Sequence, residues 1–170
     1  MKTLLVLRHA KSSWKDTDLD DHDRPLNKRG KKTAPLMGKL IKDEKLVPDL
    51  MISSTALRAK TTAEAVAKSS KYSGNIQIDS RLYLAGIHAM VRLLQEISSD
   101  DIDRVMLVGH NPGQEDLIRE LTDQDERFPT AALAQIELPI ERWSEMEFET
   151  QGKLVNLWRP KETEAPAEGS

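Results

Sequence analysis

The segment LLVLRHAKSS, residues 4–13, joins four apolar residues directly to a cation and a titratable ring. The apolar run from Leu4 to Leu7 is typical of a strand that is buried on both faces, as strands of parallel sheets are. Arg8 and His9 follow where that strand would end, and functional sites of parallel sheets lie at the carboxyl ends of the strands. The segment therefore predicts an α/β fold and makes Arg8 and His9 candidate site residues, although a polar strand end alone is ordinary.

The composition limits the classes of protein that need to be considered. With 170 residues, of which 38% are hydrophobic and 31% are charged, the chain has the size and balance of one folded domain. The formal net charge of -3 argues against nucleic acid as the main partner. The absence of cysteine excludes thiol catalysis, disulfides and cysteine-based zinc sites, and no apolar run approaches membrane-spanning length. We expect a cytoplasmic protein that binds neither nucleic acid nor membranes.

Short β-rich segments alternate with longer helical patterns along the chain, which is typical of layered α/β folds. We predict strands over residues 3–7, 50–53, 76–79, 105–108, 133–138 and 154–158. We predict helices over residues 28–42, 55–68 and 88–98, and a fourth helix that begins around Pro112. Pro35 lies inside the first of these helices and predicts a kink or a late start, because proline cannot donate to the helical ladder.

The end of the chain differs from the rest. The last two predicted strands follow one another without a clear helix between them and are expected to be antiparallel. The final segment RPKETEAPAEGS is rich in Pro, Ala and Glu and offers nothing to bury. We therefore expect one domain over residues 1–159, followed by a disordered acidic tail over residues 160–170.

Three predicted strand ends carry side chains suited to binding anions. Arg8 and His9 follow the first strand, and Arg58 follows the second, at the start of a helix. His110 follows the fourth strand, two residues before Pro112, which suits a first helical residue. If these strands are parallel, the four side chains meet in one crevice. Guanidinium groups bind phosphate oxygens, helix N-termini attract anions, and a histidine can attack phosphorus. Each residue alone is weak evidence, but the combination indicates phosphoryl chemistry.

These motifs resemble those of the histidine phosphatase superfamily, which has the phosphoglycerate-mutase-like fold. The ordered set is LRHA, DRPLNKRG, SSTALRAKTT, RLYLAG, VGHNPG and FPTAALAQIEL, and it is most similar to the SixA branch of phosphohistidine phosphatases. The resemblance implies a three-layer α/β/α sandwich around a mostly parallel, mixed six-stranded sheet. It also implies a phosphatase without cofactor or metal, which acts on a phosphorylated protein or on a small phosphorylated compound.

The resemblance assigns roles to the matching residues. It implies that His9 is the nucleophile, which would give a phosphohistidine intermediate that water then hydrolyses. The residues implied to bind the oxygens of the transferring group are Arg8, Arg58 and His110 in its charged form. The remaining two histidines, His22 and His88, are expected to be exposed.

The segment DTDLDDHD, residues 16–23, places aspartates at alternate positions, like the start of a calcium loop. Such a loop needs Gly at its sixth position and Glu at its twelfth, where this chain has Asp21 and Asn27. We therefore interpret it as an exposed acidic loop that rims the pocket, and the histidine spacing gives no reason to expect a metal. Arg24 follows the loop, and the resemblance implies that it lies near the phosphate. Asp23 either orients Arg24 or only turns the chain.

The chain departs from the superfamily at two motifs. Ala10 follows His9 where many members have glycine. The motif RLYLAG offers Tyr83 and Leu84 where mutase-like members carry a proton-donating glutamate, and the nearby Asp79 is not expected to replace it. The missing carboxylate favours a leaving group that needs little help, such as the imidazole of phosphohistidine.

Two alternatives stay open: a small-molecule phosphomonoesterase on the same fold, and a phospho-binding adaptor with a dead site. The presence of both histidines and both arginines argues against the adaptor.

Overall fold

The computed structural model describes residues 1–160, and these residues form six strands, four helices and three short 3-10 helices. The strands are β1 (Lys2–Arg8), β2 (Leu50–Ser53), β3 (Ile76–Ile78), β4 (Arg104–Gly109), β5 (Leu133–Leu138) and β6 (Lys153–Trp158). The helices are α1 (Lys28–Asp43), α2 (Leu57–Ser70), α3 (Ile87–Gln95) and α4 (Gly113–Thr122). The 3-10 helices span Asp21–Asp23, Ser80–Leu82 and Trp143–Glu145. Apart from Pro160, the predicted acidic tail lies outside the described residues.

The six strands form one mixed sheet in the order β3-β2-β4-β1-β5-β6. β3, β2, β4 and β1 run parallel to one another, whereas β5 is antiparallel both to β1 and to β6. β1 and β4 lie at the centre, and residues 4–7 and 105–108 are fully buried. The sheet confirms the mixed, mostly parallel topology, including the antiparallel pair formed by the last two strands.

Helices cover both faces of the sheet, because successive side chains of a strand point to opposite sides. Leu4 and Val6 of β1 pack on one side with a cluster that includes buried residues of α3 and α4. Leu5 and Leu7 pack on the other side with buried residues of α1 and α2. The protein is therefore a three-layer α/β/α sandwich, as the resemblance implied.

The element boundaries differ from the sequence-based ones at several helices. α1 begins at Lys28 and continues through Pro35, so the late start was wrong. Pro35 has no N–H to donate to the Lys31 carbonyl, so one hydrogen bond of the helix is missing. Both residues are exposed, and water can therefore bond to that carbonyl. α2 spans Leu57–Ser70, so it lies two residues later than predicted, and α3 ends at Gln95, so it is shorter than predicted. α4 begins at Gly113, and Pro112 is its N-cap residue rather than its first helical residue.

The parallel strands β1, β2 and β4 all end on the same edge of the sheet, since they are in parallel register with one another. Arg8 pairs with Gly109 in that register, and Ser53 pairs with Val108. The loops that leave these three strands therefore start side by side, which is what brings distant motifs together. Within residues 1–160, none of the helices has the length and apolar character needed to cross a membrane.

Candidate active site

A cavity of about 280 Å³ opens at this edge of the sheet. Its lining contains all five site residues predicted from the sequence together with other polar and apolar side chains. The residues are Arg8, His9, Lys11, Ser12, Trp14, Arg24, Arg58, Leu84, His110, Asn111 and Thr130. Its volume lies just below the roughly 300–1,000 Å³ of typical drug-sized ligand sites, so the cavity has room for a phosphoryl group and part of the molecule that carries it.

His9 sits at the end of β1 and is held as a neutral ring with a defined tautomer. Its Nδ1 lies 2.7 Å from the backbone oxygen of Ala10, and because a carbonyl oxygen only accepts, Nδ1 carries the proton. The lone pair is therefore on Nε2. Burial lowers the pKa of His9 to about 3, with further lowering by the nearby His110 and Arg8, so the ring is unprotonated at neutral pH. These are the properties that a histidine nucleophile requires.

Arg58 lies in the first turn of α2 and is almost completely buried, with 3% of its surface exposed. One terminal nitrogen donates to the backbone oxygen of Asp21 at 2.6 Å, and the other donates to the Asp21 carboxylate at 2.9 Å. Its Nε is buried without a hydrogen-bond partner. A buried guanidinium that keeps an unpaired donor beside a cavity is suited to receive an anion.

The two other arginines of the cavity are fixed by different contacts. Arg8 donates through one terminal nitrogen to the backbone oxygen of Phe128 at 3.1 Å, and its Nε is also buried without a partner. Arg24 donates to the hydroxyl of Ser12 at 2.9 Å and lies over the indole ring of Trp14, 3.5 Å from the ring centroid. Arg24 thus lines the cavity, as the resemblance implied.

His110 follows β4, and its ring centroid lies 5.3 Å from that of His9. Its Nδ1 accepts from Arg58 at 3.4 Å, which leaves the proton on Nε2, and Nε2 donates to the hydroxyl of Ser54 at 2.8 Å. The pKa of His110 is lowered to about 4, mainly by burial and next by the positive charge of Arg58. The expectation of a charged His110 therefore does not hold for the protein without a bound anion.

Asp21 is the main residue of the site that sequence reasoning missed. It belongs to the loop that we interpreted as an exposed acidic rim, but its carboxylate accepts from Arg58, from Arg24 at 3.1 Å and from the Tyr83 hydroxyl at 2.5 Å. Partial burial alone would raise the pKa of Asp21. The hydrogen bonds from Tyr83, Arg58 and Arg24 outweigh this effect and lower the pKa to about 2. Asp23, which we had considered as the partner of Arg24, is exposed and lies next to His22 instead.

His22 is less exposed than expected, because its Nε2 lies 2.8 Å from the Thr55 hydroxyl and its ring packs edge-on against Tyr83. His88 is exposed as expected and packs against Phe148. Asp79 caps the 3-10 helix Ser80–Leu82 and forms an ion pair with Arg81 at 2.8 Å. None of these three residues lines the cavity.

The described lining contains no aspartate or glutamate. Within residues 1–160 there is also no cluster of three or more histidine, aspartate or glutamate side chains that could hold a metal ion. Positive charge in the described lining is therefore supplied by the side chains of Arg8, Arg24, Arg58 and Lys11. The site can bind an anion and present one neutral imidazole nitrogen to it.

The rings of His9 and His110 are expected to stay neutral as the pH falls from about 8 to about 5, because burial lowers both pKa values. NMR titration should show neither ring moving in this range, whereas an unperturbed histidine titrates near pH 6.5. The unfolded chain takes up protons below about pH 6.5 and the folded chain does not, so the protein should lose stability as the pH falls below that value. Titration of either ring near pH 6.5 would contradict this account.

Comparison with known proteins agrees with this geometry. Residues 4–83 match the model of the histidine phosphatase superfamily (branch 1). The structure is similar to that of SixA from Agrobacterium tumefaciens, with a TM-score of 0.78 and 27% identity over 94% of this chain and 99% of that chain.

Two further solved structures share the fold at lower identity. The protein histidine phosphatase SixA in complex with tungstate has a TM-score of 0.77 and 21% identity, covering 91% of this chain and 95% of that one. A mycobacterial glucosyl-3-phosphoglycerate phosphatase has a TM-score of 0.68 and 16% identity, covering 93% of this chain and 98% of that one. The motifs matched within residues 4–83, the sheet topology and the cavity at the strand ends all agree with the histidine phosphatase superfamily.

Proposed function

We propose that the protein is a phosphatase that removes phosphoryl groups from phosphohistidine on proteins through a phosphorylated His9. The observation that carries the proposal is the neutral, buried His9, which has an unprotonated Nε2 and lines one small cavity together with three arginines. The similarity to SixA structures, one of which holds the tetrahedral oxyanion tungstate, supports the same reading.

The reaction has two steps. In the first, the Nε2 lone pair of His9 attacks phosphorus, and the bond from phosphorus to the leaving group breaks with its electron pair going to the leaving group. In the second, water attacks the phosphorus on His9 and loses its proton, and the bond from phosphorus to Nε2 breaks with its electron pair returning to Nε2, so inorganic phosphate leaves and His9 is restored. Arg8, Arg24 and Arg58 bind the equatorial oxygens, on which charge lies in the loose transition state.

His110 contributes a hydrogen-bond donor rather than a permanent charge. In the structure its Nε2 donates to Ser54, and a phosphoryl oxygen in the cavity can accept the same proton. A phosphate dianion placed beside the ring favours its protonated form, because an opposite charge within a few ångströms raises the pKa of a histidine. Substrate binding thus raises the pKa of the His110 ring, which burial and Arg58 lower.

The lining favours leaving groups that depart without a strong acid. An alkoxide needs protonation as its bond to phosphorus breaks, and no carboxylate of the described lining can supply the proton. The imidazole of phosphohistidine titrates near neutral pH, so it can take its proton from water and leave as a neutral ring. Positioning and charge stabilisation are then sufficient.

We expect kcat/KM to fall in the order phosphohistidine, aryl phosphate, alkyl phosphate, because leaving-group basicity rises in that order. Wild-type protein would be assayed in EDTA on phosphohistidine, on an activated aryl phosphate and on serine and sugar phosphates, with inorganic phosphate release as the readout. Full activity in EDTA is part of the expectation. Loss of activity that one divalent ion restores would show that the arginines do not supply the charge alone.

The second candidate is a small-molecule phosphomonoesterase, and the shared fold of the glucosyl-3-phosphoglycerate phosphatase favours including it. Comparable kcat/KM on sugar phosphates and phosphohistidine would decide for this candidate. A catalytically dead adaptor fits the site less well, since binding needs the arginines but does not need an unprotonated imidazole beside them. Single-turnover phosphate release separates the adaptor from both enzymes.

A further inference from the structure

Two large apolar side chains stand exposed at the mouth of the cavity. Trp14 is 61% exposed and Leu84 is 57% exposed, and both line the cavity together with His9 and the arginines. They come from different parts of the chain, Trp14 from the loop after β1 and Leu84 from the segment after the 3-10 helix Ser80–Leu82. Exposed apolar groups beside an anion site call for an explanation, because an anion alone gains nothing from them.

Trp14 is held in place rather than free to move away. The Arg24 guanidinium lies 3.5 Å from the centroid of its ring, and Arg24 is fixed in turn by Ser12 and Asp21. The indole therefore shields Arg24 from water, and the rest of its surface remains at the cavity mouth. A fixed aromatic face is a suitable platform for a flat ring in a substrate.

Leu84 is held in an unusual backbone conformation. Its φ is 52°, in the left-handed region that glycine or asparagine adopts at lower cost than leucine. The neighbouring Tyr83 is tied to Asp21 by its hydroxyl, and the amide of Ala85 bonds back to the oxygen of Leu82 at 3.3 Å. The fold thus keeps a strained leucine at the cavity mouth, and residues in such conformations concentrate at functional sites.

The shared lining decides which part of a substrate meets these two side chains. A phosphoryl group held by the arginines beside His9 fills only part of the 280 Å³, so the group that carries it lies in the remaining space, which Trp14 and Leu84 line. We infer that Trp14 and Leu84 form a specificity rim that favours a phosphoryl group carried on a flat, weakly polar ring, namely the imidazole of a phosphohistidine, over one carried on a hydroxyl-rich sugar.

The physical reason is the different cost of desolvating the two carriers. An imidazole ring packed against an indole and a leucine side chain removes apolar surface from water on both partners. Sugar hydroxyls placed there would lose hydrogen bonds to water and find apolar carbon instead. This inference rests on the proposed function and adds to it the residues that select the carrier.

The test compares two substrates that share the P–N bond, phosphohistidine and phosphoramidate, of which only phosphohistidine carries a ring. In Leu84→Ala and Trp14→Ala, the ratio of kcat/KM for phosphohistidine to kcat/KM for phosphoramidate is expected to fall about 3- to 10-fold. Leu84→Ala keeps a Cβ and therefore keeps the backbone strain. Trp14→Phe retains a ring over Arg24 and should retain most of the ratio. Leu36→Ala on α1, which is 63% exposed and outside the cavity lining, is the matched control and should leave the ratio unchanged.

The ratio separates the possible failures. If both substrates lose rate equally in Trp14→Ala and Leu84→Ala, the two residues act through Arg24 or through folding, and the inferred specificity rim is wrong. An unchanged ratio with full activity also overturns it, because the ring then does not touch the two side chains. Wild-type protein that hydrolyses neither substrate would overturn the proposed function, and the inference with it.

Discussion

Replacing His9 with alanine is expected to lower phosphohistidine hydrolysis by about 10³-fold or more, because removal of a nucleophile removes the covalent route altogether. Wild-type protein quenched during turnover should carry phosphate on the peptide that contains His9. The quench has to avoid acid, since the P–N bond of phosphohistidine is labile. Mass spectrometry of the digested protein locates the phosphate, and His9→Ala should show none.

The control for this experiment is His88→Ala, which changes an exposed histidine that does not line the cavity. It should keep both the rate and the phosphorylated peptide. Circular dichroism on both variants checks that the fold is intact. Full activity in His9→Ala would show that another group attacks phosphorus, and phosphate on the His110 peptide would identify the neighbouring ring as that group.

Arg58→Ala is expected to lower kcat/KM by roughly 10²–10³-fold, the typical effect of removing one well-placed donor to developing charge. Arg58→Lys should recover only part of this loss, because lysine keeps the charge but not the planar fork. The same substitution also releases Asp21 and removes a neighbour that lowers the pKa of His110. The His110 ring should therefore titrate at a higher pH in Arg58→Ala, which NMR can follow.

Arg92→Ala is the matched control for Arg58→Ala, since Arg92 is an exposed arginine of α3 outside the cavity lining. Its rate should equal that of wild type within about twofold, as expected for a surface substitution that touches no site residue. An Arg58→Ala variant with near wild-type kcat/KM and an intact fold would exclude Arg58 from transition-state binding.

The sequence was sufficient for the centre of the fold and for most of the site. The run from Leu4 to Leu7 identified a strand buried on both faces, since only such a strand can be apolar at every position. Parallel order then placed the residues after β1, β2 and β4 at one edge, which is why Arg58 and His110 were found without any contact information. These features follow from short-range pattern and from topology.

Asp21 and the charge of His110 could not be predicted in the same way. Asp21 meets Arg58 and Tyr83 across 37 and 62 residues of sequence, and the path of an exposed loop leaves no periodic signal. The neutral state of His110 depends on the burial of its ring and on the exact placement of Arg58. Both are properties of the folded chain, and neither is encoded by a residue type or a spacing.

The position of Asp21 among the arginines has a consequence for the end of the catalytic cycle. Three guanidinium charges and the Lys11 ammonium charge, less the Asp21 carboxylate charge, leave three net positive charges at the cavity while both histidines are neutral. The positive charge exceeds that of an inorganic phosphate dianion by one, whereas without Asp21 it would exceed it by two. Since attraction that exceeds neutrality would slow dissociation, Asp21 keeps the affinity for the product moderate. The acidic loop thus makes product escape, and with it repeated turnover, compatible with a site built to hold phosphate.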